Sequence, residues 1–404
     1  MFTKNILVCR EIELNTSIMK RLIITLVTLL SLCAFNSNAQ ESESMVSGAI
    51  LSVNNDSGFG YFLDTKGNPL FGLTFEEVSY FSDGFAAVKM DDKWGFINLQ
   101  GELVIPCIYE YVEGFCAGLA PVCLDDKYGY INTKGETVIP MVYEYATGFK
   151  ADGEYESMAF VIDSDEEMYA INTKGETFSG FITFVYEFCD GLICTVDENG
   201  FGFMNTKGEY SIPCIYEDVL CFSEGKCSVM LNEKWGFVNT QGEMIIPCTF
   251  DSAGCFIEDM AGLVQDGKCG FINTAGEVAV PFVYKEASDF SEGLAAVKYD
   301  ENGGYGFINK KGELVIPFKY EEVESFSDGL AAVMYDDMWG FINAKGEIVI
   351  PFVCDAVLYS FYDGIAEVVY HDEKIIIDKE GRILLHGYSS CILSSKEYAA
   401  PVWY

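Results

Sequence analysis

Histidine is nearly missing from this chain: its 404 residues include two, His371 and His386. With so few imidazoles, a His-dependent catalytic relay or a His-rich zinc centre lacks its parts. Positive charge is scarce too, with 25 lysines and arginines against 62 acids and a net charge of -37. A surface this negative repels phosphate backbones and anionic headgroups, which argues against a nucleic-acid partner and favours basic or cationic ones. The 15 cysteines contain no Cys-x-x-Cys pair, and the 39 glycines form neither a phosphate-binding loop nor a dinucleotide fingerprint. Nowhere do apolar residues recur at helical spacing for long enough to compete with strands.

What is present is repetition. The stretch Trp339-Gly340-Phe341-Ile342-Asn343, with Gly346-Glu347 and Ile350-Pro351 after it, returns about ten times in more or less worn form. Its turn glycine marks the register at Gly67, Gly101, Gly135, Gly175, Gly208, Gly242, Gly276, Gly312, Gly346 and Gly381, roughly every 34 residues. A nearly constant period in this range means one small unit stacked on copies of itself, each burying its apolar faces on its neighbours.

Three runs rich in β-branched and aromatic residues make up a unit, as in Leu294–Val297, Tyr305–Asn309 and Leu314–Pro317. Between the first two stand pairs such as Asp91-Asp92, Asp125-Asp126, Asn232-Glu233, Asp266-Gly267 and Asp336-Asp337, residues that tolerate the positive φ of a two-residue hairpin. Between the second and third, Asn-x-x-Gly supplies a left-handed closing residue. The third run, Leu103-Val104-Ile105 or Ile348-Val349-Ile350, is continuously apolar, which predicts that both of its faces are covered. Pro106, Pro140, Pro213, Pro247, Pro281, Pro317 and Pro351 are expected to end it. The segments joining units, such as Tyr320–Gly329, read as connecting loops with one helical turn, since their apolar residues fall three apart. The fold class expected is all-β: a tandem array of short three-stranded antiparallel units, as propeller-like blades in a ring or as an open β-solenoid.

These residues carry a family resemblance. Trp94-Gly95-Phe96, Trp235-Gly236-Phe237 and Trp339-Gly340-Phe341, each followed by Ile-Asn or Val-Asn and then Gly-Glu and Ile-Pro, resemble the signature of the WG-repeat proteins of bacteria over residues 48–385. Tyr128, Phe201, Cys269 and Tyr305 stand in for Trp, and the unit at Met168–Asn172 loses both Trp and Gly. The resemblance implies a binding or scaffold surface and supplies no catalytic residue. The tryptophans, one per unit in a strand, are expected to serve packing between units.

No catalytic residue, cofactor or metal site is expected. Acids are plentiful enough for a glycan hydrolase as an alternative, but most recur at the same place in every unit, as Glu102, Glu136, Glu243, Glu313 and Glu347 do. Cys107, Cys214 and Cys248 follow the repeat's proline where other units have Met141, Phe282, Phe318 and Phe352, so the position reads as an apolar slot and the thiols as unbridged, with an occasional disulfide if the chain is exported. The register slips once. The interval from Gly135 to Gly175 is 40 residues and holds Asp152, Glu154, Asp163, Asp165, Glu166 and Glu167, the candidate irregular loop for a grafted site, although EF-hand calcium spacing is lacking.

Ahead of the array, Lys20-Arg21, the apolar run Leu22–Phe35 and Ser37-Asn38-Ala39 resemble an export signal starting at Met19, so residues 1–39 read as an extension plus signal peptide and 40–47 as a polar lead. Leu30-Ser31-Leu32-Cys33 offers lipid anchoring at Cys33 as an alternative. Residues 386–404 read as a cap or tail, with Ala399–Tyr404 as a candidate closing strand. The functional expectation is a non-enzymatic exported scaffold for a protein or polysaccharide partner at the bacterial envelope, without a stable transmembrane span, or alternatively a purely structural envelope protein.

Overall fold

The computed structural model describes residues 50–394 except 56, 151–156, 178–187, 198, 206–208 and 302; the export signal, Cys33, Asp152, Glu154 and Ala399–Tyr404 lie outside them. Among the described residues every element is a strand, and the strands form ten small antiparallel sheets, one per repeat. The second blade shows the pattern: Glu77–Ser82, Phe85–Met90, Lys93–Asn98 and Leu103–Tyr109 pair in sequence order. The predicted hairpins are in place. Asp91-Asp92, Asp125-Asp126, Asn232-Glu233, Asp266-Gly267 and Asp336-Asp337 all have φ between 50° and 71°, and the described turn glycines of the Asn-x-x-Gly series lie at 75–79°.

The strand that precedes the expected three is what the sequence did not disclose. The supposed connecting loop with a helical turn is a strand at Glu77–Ser82, Asp218–Ser223, Ser252–Ile257 and Ala356–Tyr362, and eight of the ten sheets have four strands. Its apolar residues are three apart because the strand is bulged: Val78 pairs with Val88 and Phe81 with Ala86, so three steps on one strand match two on the other. The same shift separates Val219 from Phe222 and Ala253 from Phe256. A bulge inserts an unpaired residue and so imitates helical spacing. In the ninth blade this strand shrinks to two isolated bridges, Val323 to Val333 and Ser327 to Leu330.

These first strands are the innermost. Neighbouring ones, such as Asp218–Ser223 and Ser252–Ile257, come within 8 Å between Cα atoms, and the last strands carry the exposed apolar side chains. Among the described residues the core is divided accordingly into ten clusters, each shared by two consecutive blades. One holds Ala87, Phe96 and Ile105 from one blade with Val112, Phe115, Ala120 and Val122 from the next. Ala86 and Val88 face the other way, into the cluster shared with the preceding blade. Each blade is thus covered on both faces near the axis, which is why runs such as Ala86-Ala87-Val88 are apolar without alternation.

Closure is decided by Tyr388–Ser394. This strand pairs antiparallel with Ile50–Asn55, register Val53 to Cys391 and Leu51 to Leu393, and becomes the innermost strand of the first blade. A tenth cluster, with Leu51, Val53, Leu63, Ile365, Ile376 and Tyr388, joins first and last blades. The array is therefore a closed ten-bladed β-propeller. The open solenoid is set aside, and the closing strand precedes the Ala399–Tyr404 stretch.

The outermost strand departs from expectation. In Leu103-Val104-Ile105 only Ile105 is buried, while Leu103 and Val104 are 46% and 38% exposed. Blades set radially diverge with distance from the axis, so a neighbour that covers the inner strands no longer reaches the rim. Nor does the proline end the strand, which runs on to Tyr109. It bows outward, since Trp94 pairs with Tyr109 but Phe96 with Ile105, four steps against two.

Candidate interaction surfaces

Most of the acidity is built into turns. The Asn98 side chain accepts from the amides of Gln100 and Glu102 and donates to the Glu102 carboxylate at 2.9 Å. The same Asn to Glu bond closes the turns at Glu136, Glu243, Glu313 and Glu347. At the opposite hairpin, Glu76 accepts from the amides of Asp91 and Asp92 at 3.1 and 3.0 Å, as Glu217 and Glu321 do in their blades. A third set links blades: Asp83 accepts from the Gly118 amide, Asp190 from Gly225 and Glu258 from Gly293, each at 2.9 Å. Carboxylates bound to two amides serve the backbone first and present the remaining charge to solvent.

Within the signature the roles divide. Phe96, Phe237 and Phe341 are fully buried and meet the next blade's Phe115, Phe256 and Phe361 edge-on at 4.8, 4.9 and 4.8 Å between centroids. Gly95, Gly236 and Gly340 lie against the bowed outer strand; a Cβ on Gly236 would stand 2.5 Å from the Ile246 carbonyl oxygen and 2.6 Å from the Cys248 nitrogen. Trp94, Trp235 and Trp339 are only half-buried, with Trp94 and Trp339 leaning on interblade clusters. The cysteine slot behaves similarly: Cys214 is buried, whereas Cys107 and Cys248 are half-buried.

The described part of the irregular loop, Asp163 to Glu167, closes on itself. The Asp163 carboxylate accepts from the amides of Asp165 and Glu167 at 2.9 and 3.0 Å, Glu166 takes a positive φ of 65°, and the Glu167 carboxylate accepts from the Tyr169 hydroxyl at 2.5 Å. This is a hairpin turn between Met158–Ile162 and Met168–Asn172. Among the described residues no three His, Cys, Asp or Glu side chains converge as a metal site would require.

Among the described residues two acids are buried, Asp378 within its turn and Glu367 within a strand. Glu367 occupies the middle of the second strand of the tenth blade, where other blades have Ala87, Ser228, Ala296 or Ala332, and it is 7% exposed. Its signal was legible as a charge inside an otherwise apolar triplet. Burial pushes its carboxyl above the usual range, tempered by the nearby Tyr388 hydroxyl and Lys374 ammonium. The half-buried Cys391 thiol is pushed up to about 12, by desolvation first and then by this acid. With the folded-state value raised, the unfolded chain gives up this proton first as pH rises, so stability declines from the ordinary carboxyl range upward. Glu367→Gln is expected to remove that decline and raise stability by about 1 kcal/mol at neutral pH, with the gain vanishing toward pH 4. Urea melts of both proteins across this range check it, and equal curves would refute it.

The rim is the other unassigned surface. Leu103, Val104, Ile108, Val138, Val142, Ile215, and in later blades Leu314, Val315, Ile348, Val349 and Val353, stand exposed on outermost strands. Tyr210 and Phe318 are the large exposed aromatics of these strands. Such recurrence makes a belt around the ring. No described helix is long and apolar enough to cross a membrane.

A closed ring of tandem blades, its recurring acids tied into turns and its free surface at faces and rim, is a repeat β-propeller of the kind that serves as an interaction scaffold. The chain belongs to the WG-repeat family. The profile described as "WG containing repeat" matches residues 62–94, 94–128, 128–162, 201–235, 235–269, 270–302, 305–339 and 339–374, well over half of the chain. The matches pass over the unit that has lost its Trp-Gly. No curated protein matches the sequence. Among solved structures, the chain is similar to one described as the eukaryotic initiation factor, with 9% identity over 86% of this chain and 98% of that one and a TM-score of 0.49. It is also similar to BamB from Moraxella catarrhalis, with 10% identity over 74% and 92% and a TM-score of 0.33. Neither likeness is close enough to bear on function.

Proposed function

We propose that this propeller is an exported, non-enzymatic scaffold that holds a protein partner at the bacterial envelope. The observation that carries the reading is the apolar belt: side chains such as Leu314, Val315, Ile348 and Val349 repeat around the rim although the core does not need them. Exposed apolar side chains recurring blade after blade favour an interaction surface. Because the belt is mainly aliphatic, it suits a protein partner better than a polysaccharide, which would stack on aromatic rings. The net charge of -37 adds that the partner carries basic residues around its apolar contact. Export rests on the signal-like segment from Met19 to Ala39, which predicts a mature chain beginning at Gln40.

The test is expression from Met19 in a bacterium with an outer membrane, followed by fractionation, sequencing of the mature N-terminus and cross-linked capture of envelope proteins. A start at Gln40 and a discrete captured set, lost at least tenfold in a Leu314→Arg, Ile348→Arg double variant whose melt is unchanged, are the expected results. An intact N-terminus in the cytosol would overturn the location. Capture indifferent to the rim variant would overturn the belt as the binding surface and favour a structural protein without a discrete ligand.

A further inference from the structure

At the residue just before the inner-strand phenylalanine, consecutive blades meet around the axis. At this place stand Tyr80, Gly114, Gly148, Cys221, Cys255, Asp289, Ser325 and Ser360. Contacts run from one to the next: a Cβ on Gly114 would lie 3.2 Å from the Tyr80 hydroxyl. Cysteine occupies the place in two blades, and those two are neighbours. The Cys221 and Cys255 sulfurs are 3.8 Å apart, and Cys255 Sγ is also 3.8 Å from the Cys221 carbonyl oxygen.

We propose that Cys221 and Cys255 are a site of reversible oxidation, closing a disulfide that staples the sixth blade to the seventh. Both residues sit in the bulge of their inner strands, between Val219 and Phe222 and between Ala253 and Phe256, where the backbone ladder shifts register. A disulfide needs sulfurs about 2.05 Å apart, so the thiols must close by a little under 2 Å, a distance within reach of side-chain rotation. Both are partly exposed and can meet a reagent. The nearby competitor Cys227 is fully buried and engaged with the Leu220 and Ser228 carbonyls at 3.0 and 3.3 Å.

The oxidant is a small-molecule disulfide. The Cys221 thiolate attacks one of its sulfurs, releasing one small thiolate and leaving a mixed disulfide; the Cys255 sulfur then attacks Cys221 Sγ and expels nothing but the second small thiolate. Two electrons pass from the protein sulfurs to the reagent, and the two protein protons go to the two released thiolates. The Cys221 sulfur beside it and burial push the Cys255 thiol up. The bond closes a loop of one repeat, so it also restrains the unfolded chain.

The full chain, purified reduced, is equilibrated with oxidised and reduced glutathione, alkylated, digested and mapped by mass spectrometry. A Cys221–Cys255 linked peptide two hydrogens lighter than its parts is expected, together with a urea midpoint that rises on oxidation and falls back with reductant. Cys227→Ser should keep the link, and Cys221→Ser should abolish it. Full alkylation of both thiols at every glutathione ratio, or a link from Cys221 to Cys227 instead, overturns the proposal on the wild-type protein alone, whatever the variants do.

Discussion

Truncating Phe237 to alanine is expected to cost about 3 to 5 kcal/mol, whereas truncating its neighbour Trp235 costs about 1 to 2. The order is the reverse of what the repeat's most conspicuous residue suggests. Phe237 is fully buried and meets Phe256 of the next blade edge-on at 4.9 Å, so its removal leaves a cavity between two blades that cannot collapse without moving a strand. Trp235 is half-exposed and loses only part of its apolar contact. Because each blade is stabilised chiefly by its neighbours, the Phe237 deficit should appear as a shift of the whole unfolding transition. Urea melts of the two variants decide: a larger loss at Trp235 would show that the tryptophan anchors the interface.

The second large effect is at the glycine between them. Gly236→Ala should cost about 3 to 5 kcal/mol, because its Cβ would lie 2.5 Å from the Ile246 carbonyl oxygen, 2.6 Å from the Cys248 nitrogen and 2.7 Å from the Pro247 carbonyl carbon. All three are backbone atoms, so no side chain can swing away. Gly225→Ala is the control. Gly225 has φ 71° with open space around its would-be Cβ, so that change should cost only the left-handed penalty of about 1 to 2 kcal/mol. Thermal melts of both compare close approach with conformational strain; equal losses would mean that strain, not contact, explains the Gly in Trp-Gly.

Much of the candidate site could be read in advance. The acids at Glu102, Glu243 and Glu347 were recognisable as turn components because each follows the same glycine, and each indeed bonds the Asn four residues before it. The acidic loop at Asp163–Glu167 looked like a place for a grafted site, yet the Asp163 carboxylate turns inward to its own amides. The rim departs from the sequence expectation for a different reason. An uninterrupted Leu103-Val104-Ile105 has the composition of a strand covered on both faces, and composition alone does not say how far that strand lies from the axis.

The sequence by itself determined what depends on single residues and their immediate neighbours. It set the repeat period, the hairpins at Asp91-Asp92 and Asp336-Asp337, the left-handed turn glycines and three strands per unit, since backbone sterics and turn hydrogen bonds act over a few residues. The tertiary structure alone decided the rest. That Tyr388–Ser394 closes the ring on Ile50–Asn55 joins residues more than three hundred positions apart, and no local pattern encodes such a pairing. That Val78 and Phe81 belong to a bulged inner strand, that Leu103 faces solvent while Ile105 does not, and that Cys221 meets Cys255 all follow from ten radial blades. Such blades crowd at the axis and part at the rim.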